Sequence, residues 1–260
     1  HPGLDVGPDG ASAQCLEDLA VFRSIPNLTV ISPADHLEMA QATNAILNMD
    51  GPVYMRSGRS PAPNVLPSSN IFKIGKGQII QDGEDITIVA TGVQLGRAIK
   101  AIPLLANRGI SVRLINMPTI KPIDADLLIA SAKKTRCFLT TEDHNIIGGL
   151  GSAVSECISS NFPVPVFFNG VKDIFGESGE PDELVNKYRL SSTAIAEDAI
   201  NALKKGANIL TDTFMAAAAV APVAKRTLNS NVKCILEMAP AYIDSSTETR
   251  SAIGMQKMWL

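Results

Sequence analysis

An α/β fold is predicted, with a partial α/β layer followed by a doubly wound parallel sheet and a C-terminal tail of different character. Three observations predict it. Short strand-like runs alternate with helical periodicity from Leu16 to Lys204. The clearest run, Ile86-Thr87-Ile88-Val89-Ala90, is continuously strand-forming rather than alternating, as strands buried on both faces are. Glycine, proline and asparagine punctuate the joints.

Residues 1–14 are loop chemistry, with His1-Pro2-Gly3 and Gly7-Pro8-Asp9-Gly10. A short helix is expected over Leu16–Phe22 and a buried strand over Leu28–Ile31. Ser32 as N-cap, Pro33 at the first helical position and Asp35 in the first turn predict a helix to about Leu47. After the Asp50-Gly51-Pro52 turn, Val53–Arg56 reads as a strand running into Ser57-Gly58-Arg59-Ser60. The segment 60–71, rich in proline and serine, is a linker, which divides the chain into 1–63, 64–205 and 206–260.

In the middle division, strands are expected at Ile86–Ala90, Val112–Ile115, Phe138–Thr141 and Val164–Phe168. Leu95, Ala98, Ile99, Ile102, Leu105 and Ala106 fall at helical spacing, with Pro103 inside and Gly109 as a stop. Further helices are expected at Ala125–Ala132, from Gly148-Gly149-Leu150-Gly151 to Ser159, at Asp182–Tyr188 and at Thr193–Lys204. Such alternation implies right-handed crossovers and helices on both faces of the sheet. Functional groups then belong in the loops after strand C-termini, here starting at Gly92, Asn116, Glu142 and Asn169. No continuation of that sheet is expected beyond Lys205.

Composition excludes several function classes. A net charge of −3 and 5% aromatic residues offer neither a basic patch nor stacking platforms for nucleic acid. Cys15, Cys137, Cys157 and Cys234 are widely spaced, and His1, His36 and His144 never fall at metal-ligand spacing. Free thiols suit a reducing, cytoplasmic setting. The longest apolar run, near Ala216–Val223, is too short to span a bilayer. There is no signal-peptide pattern, and a chain opening on His1 is expected to begin internally to something longer.

Three residues of the first division could carry chemistry. His1 can polarise and protonate a sugar oxygen, the Asp9 carboxylate can accept hydrogen bonds from a hydroxyl, and the Arg59 fork suits a phosphate. Each has an ordinary reading too: a loop histidine without a role for His1, a turn for Gly7-Pro8-Asp9-Gly10, and a solvated strand end for Arg56 and Arg59. Glu142-Asp143-His144 past a strand could form an acid/base or anion site, or the ion-pair network of a scaffold.

The opening run from His1 to Gln14, with Glu17-Asp18-Leu19-Ala20, Arg23, Ile25-Pro26-Asn27 and Pro33-Ala34-Asp35, resembles the end of the pyrimidine-binding domain of transketolases. The middle division is similar to the transketolase C-terminal domain. It carries, in family order, Ala90-Thr91-Gly92, Ile115-Asn116-Met117, Thr119-Ile120-Lys121-Pro122-Ile123-Asp124, Thr141-Glu142-Asp143-His144, Gly148–Val154 and Phe175-Gly176-Glu177-Ser178-Gly179. The resemblance implies transfer of a two-carbon ketol unit between sugar phosphates, as in the pentose phosphate pathway, using thiamine diphosphate and Mg²⁺. It places His1, as catalytic residue, and Asp9 on sugar hydroxyls, and Arg59 on the substrate phosphate. It also implies that the cofactor groups lie in an upstream portion or separate N-terminal subunit. The assembly would be a homodimer or heterotetramer, without nucleic-acid or membrane partners. Glu142-Asp143-His144 would belong to a scaffold domain. Many transketolases have a histidine where this sequence has Ala13, which implies a non-standard acceptor. Related alternatives are a deoxyxylulose-phosphate synthase, against which the Ile120–Asp124 and Phe175–Gly179 runs weigh, and a non-catalytic dimerisation module.

The tail from Ala199, through Lys204–Met215, Val232-Lys233-Cys234 and Thr249–Ala252, resembles the C-terminal part of precorrin-8X methylmutase, which shifts a methyl group on a corrin ring. That family's catalytic histidine lies earlier in its chain, and the tail has no histidine. Isomerase activity therefore does not follow, and a gene-assembly join is the expected origin.

Overall fold

The computed structural model describes residues 1–204, 208–211, 213–227, 231–237 and 253. It divides into two compact units, His1–Ile200 and Asn201–Leu260.

The first unit opens with a 3₁₀ turn, Gly7–Asp9, followed by α1 (Asp18–Ser24), β1 (Thr29–Ile31), α2 (His36–Ile46) and β2 (Val53–Met55). The cap of α2 corrects the expected Ser32. Asp35 Oδ1 accepts the Glu38 N–H at 3.0 Å, while Glu38 Oε2 reaches back to the Ala34 N–H at 2.7 Å. This reciprocal arrangement satisfies first-turn donors that a serine three residues earlier would leave open. The helix therefore starts at His36 rather than Pro33.

Next come β3 (Gln78–Gln81), β4 (Ile86–Ala90), α3 (Gln94–Ala106), β5 (Val112–Asn116), β6 (Thr119–Lys121), α4 (Ala125–Thr135), β7 (Phe138–Asn145), α5 (Leu150–Asn161), β8 (Val166–Val171), α6 (Pro181–Lys187) and α7 (Ser192–Lys204). The principal sheet has the order β3-β5-β4-β7-β8. Its four expected strands run parallel, with Ile88 beside both Leu114 and Leu139. The order reverses about β4, the first strand of the parallel set, as in doubly wound sheets. β3, which the sequence reading missed, adds an antiparallel edge on β5. Helix α3 continues through Pro103 to Ala106, and Gly109, at φ 71°, turns the chain behind it.

A second sheet of order β2-β1-β6 pairs β1 parallel to β2 and antiparallel to β6. Thus β6, from beyond the proline-rich segment, completes the layer begun by the first sixty residues. The core is also common to both segments. Leu19 and Val30 lie in one buried cluster with Val89, Ile115, Phe138 and Val154. Phe22 and Tyr54, stacked at 3.9 Å between centroids, pack against it.

In the second unit, β9 (Asn208–Thr211), α8 (Phe214–Thr227) and β10 (Asn231–Cys234) form a β-α-β element. Its strands pair parallel, Ile209 beside Val232, in a sheet separate from the principal one. The apolar run Ala216–Val223 lies inside α8. The Thr249–Ala252 resemblance falls outside the described residues.

Candidate functional site

The His1–Leu16 loop is closed by its own backbone. Cys15 N–H donates to His1 O at 2.7 Å and Gly3 N–H to Cys15 O at 2.9 Å. Leu4 and Leu16 are buried in a cluster with Val171, Leu184 and Tyr188, so the loop is anchored by apolar groups at two points.

Polar ties from the second segment fix its path. Both Asp143 oxygens accept the Leu4 N–H at 3.2 Å. Gly3, at φ 75°, permits this approach, because a Cβ there would collide with Asp143 Oδ2. Gln14 Nε2 donates to Gly7 O at 3.3 Å and to Glu177 O at 2.9 Å. Tyr188 Oη donates to Phe175 O at 2.9 Å. The Phe175–Gly179 motif thus grips the loop that carries Asp9.

The Glu142-Asp143-His144 triplet is fully engaged in such ties. Glu142 accepts the Leu150 and Gly151 N–H groups at 2.6 and 2.8 Å, filling the orphan donors at the N-terminus of α5. Burial pushes its carboxyl up, opposed by His144 and by those two amides. His144 Nε2 accepts the Ala20 N–H at 3.3 Å while Nδ1 donates to Asn145 O at 2.6 Å, which assigns the ring proton to Nδ1. The side chains hold backbone in place, as a scaffold does.

Arg56 is buried, which corrects the solvated strand end expected for it. Its Nε and Nη2 bind Asp18 at 2.8 and 2.9 Å, and Tyr54 Oη donates to Asp18 Oδ2 at 2.7 Å. Burial alone would raise the Asp18 carboxyl; the Arg56 charge and these hydrogen bonds outweigh it and hold the group below its ordinary value. The sequence signal was the charge itself, since an arginine ending an apolar strand needs either solvent or a partner.

Three residues away, Arg59 Nη1 pairs with Asp9 Oδ2. Their side chains are 53% and 47% exposed. Ser60 Oγ donates to Asp5 O at 2.9 Å, tying the Arg59 segment to the same loop. The third expected residue, His1, is exposed at the root of this loop, with its main-chain nitrogen donating to Ala13 O at 3.0 Å. Among the described residues, no hydrogen bond or ion pair joins its imidazole to Asp9 or Arg59.

Pro2, Asp5, Arg56, Gly58, Gly92 and Asp143 are among the residues that line a pocket of about 30 Å³, room for a water or two. Burial pushes the Asp5 carboxyl up, Asp143 adds to this, and Arg97 and Arg56 oppose it. Asp5, Gln14, Asp18 and Arg56 were missed as site-building residues because their partners lie elsewhere in the chain. Among the described residues, no group of three or more His, Cys, Asp or Glu side chains could hold a metal ion, and no helix is long and apolar enough to cross a membrane.

Comparison with known proteins bears on this arrangement. Residues 1–64 match the transketolase pyrimidine-binding domain, 75–195 the transketolase C-terminal domain and 178–260 precorrin-8X methylmutase. A transketolase C-terminal section from Methanocaldococcus jannaschii is 43% identical over 209 residues, which are 79% of this chain and 65% of that one. A 6-deoxy-6-sulfo-D-fructose transketolase subunit from a Clostridium species is 39% identical, over 76% of this chain and 62% of its own. A solved structure, a split-gene transketolase described as an inactive β4 tetramer, aligns with a TM-score of 0.70 at 39% identity, over 74% of this chain and 62% of that one. The chain thus spans less than two thirds of these relatives. With the loop, the sheet order and the motif ties described above, residues 1–195 belong to the transketolase family, matching its pyrimidine-binding domain and then its C-terminal domain.

Proposed function

We propose that this protein is the C-terminal part of a transketolase, moving a two-carbon ketol unit between sugar phosphates once joined by a cofactor-binding portion. In this reading residues 1–63 end the pyrimidine-binding domain, 64–205 are the C-terminal domain, and 206–260 are an appended piece of methylmutase type. The observation that carries it is the meeting of Asp9 with Arg59, 50 positions apart, on a loop pinned by family motifs. Arg59 would hold the substrate phosphate, Asp9 a sugar hydroxyl, and His1 would polarise and protonate a sugar oxygen.

Thiamine diphosphate would supply the carbanion chemistry when bound. The Mg²⁺ and diphosphate groups are assigned to the joining portion. A relative described as an inactive β4 tetramer supports both self-assembly and dependence on a second kind of chain. The four free cysteines support a cytoplasmic setting.

Substitution of Arg59 tests the assignment in the assembled enzyme. A charge-assisted phosphate contact contributes about 1.5–3 kcal/mol, so Arg59→Ala should raise KM for a phosphorylated acceptor by roughly 10- to 150-fold. KM for an unphosphorylated acceptor should change little. Equal effects on both would remove Arg59 from the phosphate role.

A further inference from the structure

The charges around the candidate site differ in how far they are committed. Arg56 is bound by Asp18, Asp143 by the Leu4 amide, and Arg97 by Gln94 Oε1 at 2.6 Å with Asp5 at 3.7 Å. Among the described residues, Asp9 and Arg59 hold only a half-exposed pair with each other. They also stand on backbone that is held. The Asp9 turn is fixed through Gln14 to Gly7 O, and the Arg59 segment is tied to the same loop through Ser60 to Asp5 O. The pair can therefore open by side-chain rotation, with both backbones held.

A half-exposed carboxylate–guanidinium pair is a weak contact. A phosphate dianion competes for the same planar fork with greater charge and an additional oxygen. We propose that Asp9 is a built-in competitor for the phosphate site. The phosphate of an incoming sugar displaces Asp9 from Arg59, and the released carboxylate then accepts the sugar hydroxyl. An unphosphorylated sugar meets Asp9 already engaged. Phosphate binding and hydroxyl recognition are thus coupled through one ion pair, which favours phosphorylated substrates beyond the direct contact itself. This inference rests on the assignment of Arg59 to phosphate.

Inorganic phosphate binding to the full chain, titrated by NMR at constant ionic strength, tests it without any turnover. Asp9→Asn should tighten phosphate binding by about two- to fivefold, the measure of an exposed pair. Asp9 is exposed, so the variant should fold. Glu17→Gln, which removes another exposed carboxylate of the same loop region, should give a clearly smaller gain. Unchanged or weaker binding in Asp9→Asn would overturn the coupling, as would an equal gain from Glu17→Gln. Phosphate binding that survives Arg59→Ala would instead refute the phosphate assignment, and the coupling with it. Failure of ketol transfer in the assembled enzyme is a separate readout, which bears on the proposed activity alone.

Discussion

Asp143 holds the main-chain amide of Leu4 between its two carboxylate oxygens, across 139 positions of sequence. The loop bearing Asp9 is therefore positioned by the end of a strand in the principal sheet. This explains why two segments that resemble separate domains share one core, and it makes the site's geometry sensitive to residues that touch no substrate.

Removal of this anchor should loosen the loop selectively. Asp143→Ala leaves the buried Leu4 N–H without an acceptor, at a cost of about 1–3 kcal/mol. Hydrogen exchange at Leu4 should accelerate, while amides of β4 and β5 change only with global stability. Asp143→Asn, which retains one oxygen, should fall between. Uniform exchange changes across the sheet would show that the contact is not a local anchor.

The Asp18–Arg56 pair should fail more severely. Asp18→Ala leaves a buried guanidinium uncompensated, a loss of roughly 3–5 kcal/mol, readable by denaturant titration. Its acid behaviour has a definite sign. The folded carboxyl lies below its ordinary value, so its contribution is present above about pH 4 and is lost as pH falls further. A stability profile of Asp18→Asn still falling as steeply below pH 4 would contradict this.

Glu38 should act in the opposite direction. It is fully buried, receives Ala34 N–H and Asn116 Nδ2, both at 2.7 Å, and burial raises its carboxyl to about 7. A raised value means that the folded state holds its proton more tightly. Its contribution is present below the unfolded value near 4.3 and is lost as pH rises through about 7, a change on the order of 3 kcal/mol. Glu38→Gln should reduce the decline in stability between pH 5 and 8. The substitution is accommodated because Asn116 Oδ1 is buried without a partner among the described residues and can accept from the new amide after a flip. An unchanged slope would place the titration elsewhere.

The elements of the first unit were legible wherever a local pattern decides them. The apolar run of β4, the Pro181 start of α6 and the periodicity of α7 each carry their own signal. β3 was not legible, because Gln78-Ile79-Ile80-Gln81 is short and half polar, and becomes a strand only through pairing with β5. The cap of α2 was misplaced for a related reason. Ser32 and Asp35 are both good caps, and the reach-back of Glu38 decides between them. At the site, Asp9 and Arg59 were brought together only by family resemblance. Their partnership, like that of Asp143 with Leu4, is a tertiary contact for which spacing holds no information.

The C-terminal unit should be dispensable for the first unit. Residues 201–260 form a compact unit of their own, and a piece of that size seldom buries enough apolar surface to offset its ordering entropy. A chain ending at Lys205 should retain a cooperative thermal transition with Tm almost unchanged, and limited proteolysis of the full chain should cut first beyond Lys205. Loss of the cooperative transition on truncation would make the segment integral.

Two-carbon transfer, assayed with the protein alone and with a matching N-terminal chain, tests the central claim most directly. Thiamine diphosphate, Mg²⁺, a ketose phosphate donor and an aldose phosphate acceptor would be supplied in both arms. No transfer is expected from the protein alone, and turnover is expected on adding the N-terminal chain. Turnover by the isolated protein, or its absence in the reconstituted pair under conditions where the two chains co-sediment, would contradict the account.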